Sequence, residues 1–364
     1  MRSTQVRSGG VGLALLSAVA FGGSGVAAKP LIEAGFEPLH VVWMRVAGAA
    51  LVLLPVAVRH RRLPLQRPGL VIGFGLLGIV GVQALYYLAI ARIPVGVAIL
   101  VEYLGPALLL GWVRFVQRRK VRRAAVVGVV LAVGGMCFVV GIWSGFAFAP
   151  VGLLCSFGAA CCQVAYFVLA DHGAQDGAAA SPGSPDRERA GEGLADGLGD
   201  GFVDGLGDGS DVGGAPDPVA VIAHALLFGT ASLTLVARPW DIAWTSLAHQ
   251  VPLGDADVPG ILLVGWIVLV CTVVSYLTGV MAVRRLSPQI AAVVSCVEAV
   301  VGAVLAWFLL GEHLGTPQLF GGALVLAGAF VAQTALPAAA GEPAPAASPT
   351  APEPCVEPDL APRR

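Results

Sequence analysis

The sequence predicts an all-α polytopic membrane protein with ten transmembrane helices arranged as two inverted five-helix repeats. Three observations predict it: an excess of apolar residues, a series of long apolar runs, and a weak internal repeat. Hydrophobic residues make up 57% of the 364 residues and charged residues only 12%, whereas soluble domains have about 25% charged residues. The mean hydropathy is +0.82. The net charge of −1 gives no reason to expect nucleic acid as a partner.

Ten apolar runs are long enough to cross a bilayer, which takes about 20 residues of α-helix. Numbered in chain order as spans 1 to 10, they cover 11–29, 39–58, 68–91, 94–113, 123–142, 150–170, 219–237, 259–282, 287–310 and 317–336. The first run follows Arg2 and Arg7 and has the alternative interpretation of a secretory signal peptide. Its length and its place in a ten-span pattern favour a span.

Basic residues are distributed unevenly between the two sides of the predicted bundle. Of the 22 Lys and Arg residues, 18 lie in segments on the side of the N-terminus, and only Lys29, Arg92 and Arg238 lie on the other side. Because cytoplasmic loops carry an excess of Lys and Arg, both termini are expected in the cytoplasm. Residues 1–10 are then a cytoplasmic N-terminus, and 337–364, rich in proline and alanine, are a disordered cytoplasmic tail.

An internal repeat relates the two halves of the chain, 11–142 and 150–336. A shift of 193 residues aligns 92–112 with 285–305, and Gly128, Leu131 and Gly135 with Gly321, Leu324 and Gly328; a shift of 140 aligns 12–20 with 152–160. Because each half has five spans, an odd number, the halves must insert with opposite orientation. Inverted repeats are typical of secondary transporters, which bind substrate between the halves and alternate access by rocking.

The second half is interrupted by residues 171–217, a segment rich in Gly and Asp. It contains eleven acidic residues and only two arginines. Aspartates recur at four-residue spacing from Asp196 to Asp208, a spacing that would suit a calcium loop or one face of a helix. The pattern fits neither of two calcium-binding motifs, and glycine at this density opposes a helix. The segment is therefore predicted to be a disordered cytoplasmic loop.

Two further patterns have simple explanations. GFGLLG (73–78) matches the dinucleotide-binding G-x-G-x-x-G, but it lies inside span 3 with no preceding strand, so small residues for helix packing explain it better. His224 is isolated in span 7 and is expected to be a packed polar residue. The sequence has no catalytic cluster and no metal or cofactor motif, and its cysteines are scattered, so no enzyme, metal site or cofactor is predicted.

Three charged side chains inside the spans carry the functional prediction: Arg45, Glu102 and Glu298. Each charge costs roughly 2.5–3.5 kcal/mol at the centre of a span, so each should face a cavity or a partner. Arg45 and Glu102 lie at similar depth from the same face. They either form a permanent ion pair between spans 2 and 4, or Glu102 faces a cavity and binds a substrate ammonium or a coupling proton.

Glu298 lies in span 9, the counterpart of span 4. It is displaced by three positions from the place equivalent to Glu102, so the two carboxylates lie on roughly one helix face and are expected to share a cavity. The alternative is that Glu298 serves packing or helix bending.

Uncharged polar residues complete the predicted site. The candidates for substrate binding or proton coupling are Glu102, Glu298, Arg45, Gln83, Tyr87, Tyr103, Gln163, Tyr166 and Tyr276. Gln83 and Tyr276 are equivalent under the 193-residue shift. Buried Tyr and Gln side chains also serve simply to bond neighbouring helices, which is the alternative for each of them.

Two segments resemble a known family of transporters. VEAVVGAVLAWFLLGEHL (297–314) is similar to a signature of the second repeat, with GEHL for G-E-R-L and Ala299 where proline is common. RIPVGVAILVEYLGP (92–106) is similar to the corresponding segment of threonine/homoserine exporters. Together, residues 11–336 resemble the drug/metabolite transporter superfamily in its ten-span EamA-type form. The resemblance implies a secondary carrier in a bacterial cytoplasmic membrane, most often an exporter of amino acids or related metabolites.

The predicted function is secondary-active export of amino acids or related small metabolites by alternating access. Alternatives of the same fold are an uptake carrier and a drug exporter, because gradients set the direction of transport. A membrane enzyme would need clustered His, Asp or Glu near one interface, and a receptor or assembly factor would leave the inverted duplication unexplained. The expected partners are a small-molecule substrate and the lipid bilayer, with a homodimer as an open alternative and no nucleic acid.

Overall fold

The computed structural model describes residues 2–116, 123–141, 148–179, 217–254, 256–283 and 288–334. The proline-rich tail and most of the acidic segment, including its aspartate repeat, lie outside these residues, so their predicted disorder stays a prediction. The described chain is helical over nearly all its length, and its helices are apolar enough to cross a membrane. The prediction of an all-α polytopic membrane protein is therefore confirmed.

Each predicted span corresponds to helix in the structure. In chain order the helices are Arg2–Glu33 (span 1), Pro38–Arg59 (span 2), Pro68–Gly73 and Val82–Ile90 (span 3), Val95–Glu102 and Gly105–Phe115 (span 4), Arg123–Val140 (span 5), Pro150–Ala179 (span 6), Pro218–Ala237 (span 7), Gly260–Val268 and Ser275–Val283 (span 8), Pro288–Leu310 (span 9) and Thr316–Thr334 (span 10). Spans 1 to 5, 7 and 8 are long and apolar enough to cross a membrane. In spans 6, 9 and 10 the apolar stretches that could be assessed for crossing a membrane are shorter, Pro150–Tyr166, Cys296–Leu310 and Thr316–Ala332, so the count of ten stays a prediction.

Two boundaries differ from the prediction. The helix of span 6 continues to Ala179, so residues 171–179 are helical rather than part of a loop, because alanine favours helix and no proline lies between Pro150 and Pro182. Between spans 7 and 8 lies an antiparallel hairpin, β1 (Gln250–Leu253) and β2 (Ala256–Pro259), that the sequence reading did not predict. Its turn contains Gly254 at φ +63°, a conformation that glycine adopts without strain.

Spans 3 and 8 each contain a π-helical segment, Phe74–Gly81 and Leu269–Val274. The 193-residue shift carries 74–81 onto 267–274, so the two segments occupy equivalent places in the two halves. π segments are rare and are often found at functional sites. Their presence at equivalent places supports the internal repeat.

Helix packing follows the same two-fold pattern. Span 5 packs along span 10, and span 2 packs along span 7. Span 1 packs on spans 8 and 9, and its counterpart, span 6, packs on spans 3 and 4. Two halves related by an approximate two-fold axis would give these pairs, so the packing also supports the repeat.

Spans 5 and 10 approach each other backbone to backbone at four glycines. A Cβ at Gly128 would lie 2.7 Å from the carbonyl oxygen of Gly328, and a Cβ at Gly321 would lie 2.5 Å from that of Gly135. The repeat equates Gly128 with Gly321 and Gly135 with Gly328, so the two contacts are themselves equivalent. Small residues allow this close approach of helices in membranes. We refer to these four residues as the glycine seam.

Candidate functional site

Arg45 is the centre of a polar cluster deep in the bundle. Arg45 is charged, yet it is only 2% exposed and its neighbours in span 2 are apolar. Its acceptors are neutral oxygens of spans 1, 3 and 8: Thr272 Oγ1 at 2.8 Å from Nε, Ser24 Oγ at 2.5 Å, Gln83 Oε1 at 2.9 Å and Tyr87 Oη at 3.1 Å from Nη1, and the Cys271 carbonyl at 3.2 Å from Nη2. These bonds involve all three nitrogens of the guanidinium and engage up to four of its five N–H donors. A buried charge without such bonds would be costly, so the cluster is a condition for placing Arg45 there.

Aromatic rings complete the surroundings of Arg45. Its Cζ lies 5.6 Å from the ring centroid of Phe21 and 5.8 Å from that of Tyr87, within the range of cation–π interactions. Phe21 also packs edge to face on Tyr276, with ring centroids 5.2 Å apart. Gln83 and Tyr276, the pair that the repeat makes equivalent, therefore both belong to the surroundings of Arg45: Gln83 accepts from it directly, and Tyr276 packs on Phe21.

The two π segments position the partners of Arg45. Cys271 and Thr272 lie within the segment of span 8, and Gln83 and Tyr87 follow directly after that of span 3. Thr272 donates its hydroxyl hydrogen to the Ile267 carbonyl, five residues earlier, at 2.8 Å, which holds Oγ1 as an acceptor for Arg45. The irregular helix thus presents polar groups in the middle of apolar spans.

Glu102 and Glu298 lie beside this cluster, on facing helices. Spans 4 and 9 pack closely on each other, since a Cβ at Gly302 of span 9 would collide with Ile99 of span 4. Glu102 follows Ile99 by three residues and Glu298 precedes Gly302 by four, so both glutamates lie about one helical turn beyond this contact. Both side chains are partly exposed. The packing brings their two helices together at this level, and the cavity that the two carboxylates are expected to share stays a prediction.

Span 4 is interrupted directly after Glu102. The first helix of span 4 ends at Glu102, and the second begins at Gly105, with Pro106 in its first turn. Proline has no N–H to donate to the carbonyl four residues earlier, which here belongs to Glu102. The predicted span 94–113 corresponds to the apolar stretch Val95–Phe115, which is long enough to cross a membrane, and the Gly-Pro pair was a signal for the break within it. Interrupted helices are a common way to place polar groups at transporter binding sites.

The proposed permanent ion pair between Arg45 and Glu102 is absent. In the described part of the chain, the ion pairs within 4 Å are Lys29–Glu312 and the Glu37–His40 contact, and neither involves the site. Arg45 is satisfied by neutral acceptors instead. Charge attraction between Arg45 and the glutamates acts only at longer range.

The remaining predicted residues are divided between two places. Gln163 of span 6 reaches the break in span 4, since a Cβ at Gly105 would lie 2.7 Å from its Oε1. Tyr166 is only 7% exposed and packs on Phe74, with ring centroids 4.6 Å apart, so it lies against the π segment of span 3. Ser24 and Thr272, which the sequence reading missed, are direct partners of Arg45; the only signal was a hydroxyl in an apolar run.

The structure agrees with the simple explanations given for the GFGLLG motif and for His224. GFGLLG is entirely helical, and its Gly75 and Gly78 pack against Phe228 and Phe74. His224 is buried, and its Nδ1 lies 2.7 Å from the Ala220 carbonyl of its own helix. No group of three potential metal ligands occurs among the described residues.

The fold and the central polar site can now be set beside known proteins. The model of the EamA-like transporter family matches residues 8–141 and 214–334, well over half of the chain. The chain belongs to the EamA-like transporter family. No curated protein is significantly similar to it in sequence. A solved structure described as "Crystal structure of protein" covers 90% of this chain and 98% of its own, with 18% identity and a TM-score of 0.49, which is too low to support any conclusion.

Family membership makes this protein a multi-pass membrane transporter of the drug/metabolite type. The resemblance of 92–106 and 297–314 to this superfamily is confirmed at that level. The similarity to threonine/homoserine exporters stays a prediction.

Proposed function

We propose that this EamA-like transporter is a secondary-active exporter of small metabolites that carry an ammonium group, amino acids among them. Substrate binds between the two halves, and access alternates as the halves rock against each other. Glu102 and Glu298 bind the ammonium group or exchange it for a coupling proton.

One observation carries the proposal: two partly exposed carboxylates lie about one helical turn beyond the contact between spans 4 and 9, without an ion-pair partner within 4 Å in the described chain. Intramembrane carboxylates are costly unless they serve a pathway or a partner. A cationic group bound between Glu102 and Glu298 would supply the partner that the protein itself does not.

The hydrogen bonds of Arg45 indicate which charged group of a zwitterionic substrate the site binds. All three of its nitrogens already donate hydrogen bonds, so Arg45 has little capacity left for a substrate carboxylate. With Glu102 and Glu298 ionised, the three side chains together carry one negative charge. The site therefore favours a cationic group, and the ammonium rather than the carboxylate is expected to decide binding.

The test is counterflow of labelled amino acids and amines in proteoliposomes. Glu102→Gln and Glu298→Gln are expected to lower the counterflow rate at least about tenfold, because a hydrogen bond to a charged partner is lost. Glu37→Gln is the matched control, since that side chain is 71% exposed just before span 2 and its ion-pair contact is with His40, outside the site. Normal counterflow in both glutamine variants would refute the carboxylate site.

A second measurement separates substrate binding from proton coupling. Counterflow needs no net proton movement, whereas uphill transport driven by a proton gradient does. A variant that keeps counterflow but loses gradient-driven accumulation has lost a coupling group. One that loses both has lost a binding group.

A further inference from the structure

Glu312, in the GEHL segment after span 9, connects three spans at one end of the bundle. Its Oε1 lies 2.7 Å from Lys29 Nζ of span 1 and 2.9 Å from the backbone nitrogen of Val95, and its Oε2 lies 3.3 Å from that of Gly96. Lys29 Nζ also lies 3.5 Å from the Ile93 carbonyl, just before span 4. We call this end of the bundle the Glu312 end; the distribution of basic residues predicts that it faces outward.

Glu312 supplies span 4 with a cap from the other half of the protein. The residue before the helix is Pro94, which has no side-chain acceptor for the first N–H groups. A carboxylate at a helix N-terminus accepts these hydrogen bonds and interacts favourably with the helix dipole. The ion pair is partly sheltered, with Lys29 16% and Glu312 10% exposed, so solvent screens it less than a surface pair.

Burial along span 4 shows which end of the site is closed. Every residue from Val95 to Val101 is buried, and Glu102 and Tyr103 are the first partly exposed residues after them. Span 4 is therefore packed on all sides between the Glu312 end and the candidate site. A substrate leaving toward the Glu312 end would have to separate spans 1, 4 and 9 where Glu312 joins them.

We propose that Glu312, paired with Lys29 and capping span 4, is a positioning residue that holds the Glu312 end of the transport pathway closed. Opening at this end breaks the ion pair and releases the start of span 4. The inference rests on alternating access in the proposed function, but it concerns resting conformation and can be tested without a substrate.

The experiment measures access to a single cysteine at Ala98. All seven native cysteines are replaced, and Ala98→Cys is labelled with a membrane-impermeant maleimide added to either side of oriented vesicles. Ala98 is fully buried, and its carbonyl accepts a hydrogen bond from Ser156, so labelling in the parent is expected to be slow. Glu312→Gln and Lys29→Gln are each expected to speed labelling from the Glu312 side at least about tenfold, because each loses a charge-assisted hydrogen bond.

A second cysteine distinguishes opening of the Glu312 end from local unfolding. Gln163→Cys, placed beside the break in span 4, reports access from the opposite end. When the Glu312 end opens, labelling at this position is expected to stay constant or fall. If Glu312→Gln raises labelling at both positions, the residue only stabilises the fold and the proposal is wrong.

Two further variants complete the test. Glu37→Gln removes a carboxylate at the same end but leaves the contacts of Glu312 unchanged. In this variant the cysteine is expected to be labelled at the parent rate. Glu312→Asp, which keeps the charge, is expected to fall between the parent and Glu312→Gln. Parent labelling rates in both Glu312→Gln and Lys29→Gln would refute the proposal that Glu312 holds this end closed. If labelling is faster but the protein shows no counterflow of amino acids or amines, the role of Glu312 is supported and only the proposed substrate is refuted.

Discussion

The two halves of this transporter share their scaffold but differ in their charges. Both halves have a π segment in the equivalent span and a glycine seam residue pair in the last span. Arg45, by contrast, lies only in the first half, since span 7, the counterpart of span 2, contains no Lys or Arg. Glu102 and Glu298 are also displaced by three positions from exact equivalence. The repeat therefore builds the bundle, and departures from the repeat place the ionic groups.

Arg45 is expected to give the largest effect on stability. Arg45→Leu leaves several buried acceptors without a donor, each at about 1–3 kcal/mol, so the loss should reach at least about 3 kcal/mol. Arg45→Lys keeps the charge but not the planar set of donors, and is expected to lose less. Folded yield and thermal unfolding in detergent measure both changes.

Glu102→Gln added to Arg45→Leu tests the ion pair directly. Because Arg45 is held by neutral acceptors, the second substitution is not expected to restore stability. Recovery of the folded yield would mean that the two side chains form a permanent pair after all.

The glycine seam is expected to give the next largest effect, equal in the two halves. Gly128→Ala and Gly321→Ala each place a methyl group against a backbone, at a cost of about 1–3 kcal/mol in the free energy of unfolding. Gly134→Ala is the control in span 5, because a Cβ there has no neighbour within 4 Å. Losses that differ by much more than about 0.5 kcal/mol between the halves would contradict the structural equivalence.

The carboxylates are expected to have the smallest effect on stability. Glu102→Gln and Glu298→Gln remove a charge from an apolar setting, so the free energy of unfolding should stay constant or rise by about 1 kcal/mol while transport falls. Thermal unfolding measured beside the counterflow rates is the check. A loss comparable to that of Arg45→Leu would assign the glutamates to the scaffold.

The sequence predicted what depends on local composition and on the repeat. Apolar runs located all the helices of the spans, since lipid selects for apolar side chains whatever their neighbours. The alignment of 92–112 with 285–305 predicted that Glu102 and Glu298 share a cavity; the contact between Ile99 and Gly302 shows that their helices pack together, and the shared cavity stays a prediction.

The missing parts depend on which helices meet and at what angle. Hydropathy indicates that Arg45 needs partners but does not distinguish a distant Thr272 from a nearby Glu102. The contact between Lys29 and Glu312 joins residues 283 positions apart, and only the folded bundle brings them together. The π segments leave no mark in composition, because the same apolar residues suit an α-helix equally well.

The π segments also fix the rotational phase of the residues that follow them. A π turn takes in one residue more than an α turn, and each residue of an α-helix advances by about 100° around the axis. If 74–81 formed a regular α-helix, the rest of span 3 would be rotated by about that angle, and Gln83 and Tyr87 would turn away from Arg45. Each π segment thus determines the direction in which the later polar side chains of its span point, and a helical wheel drawn from the sequence would misplace them.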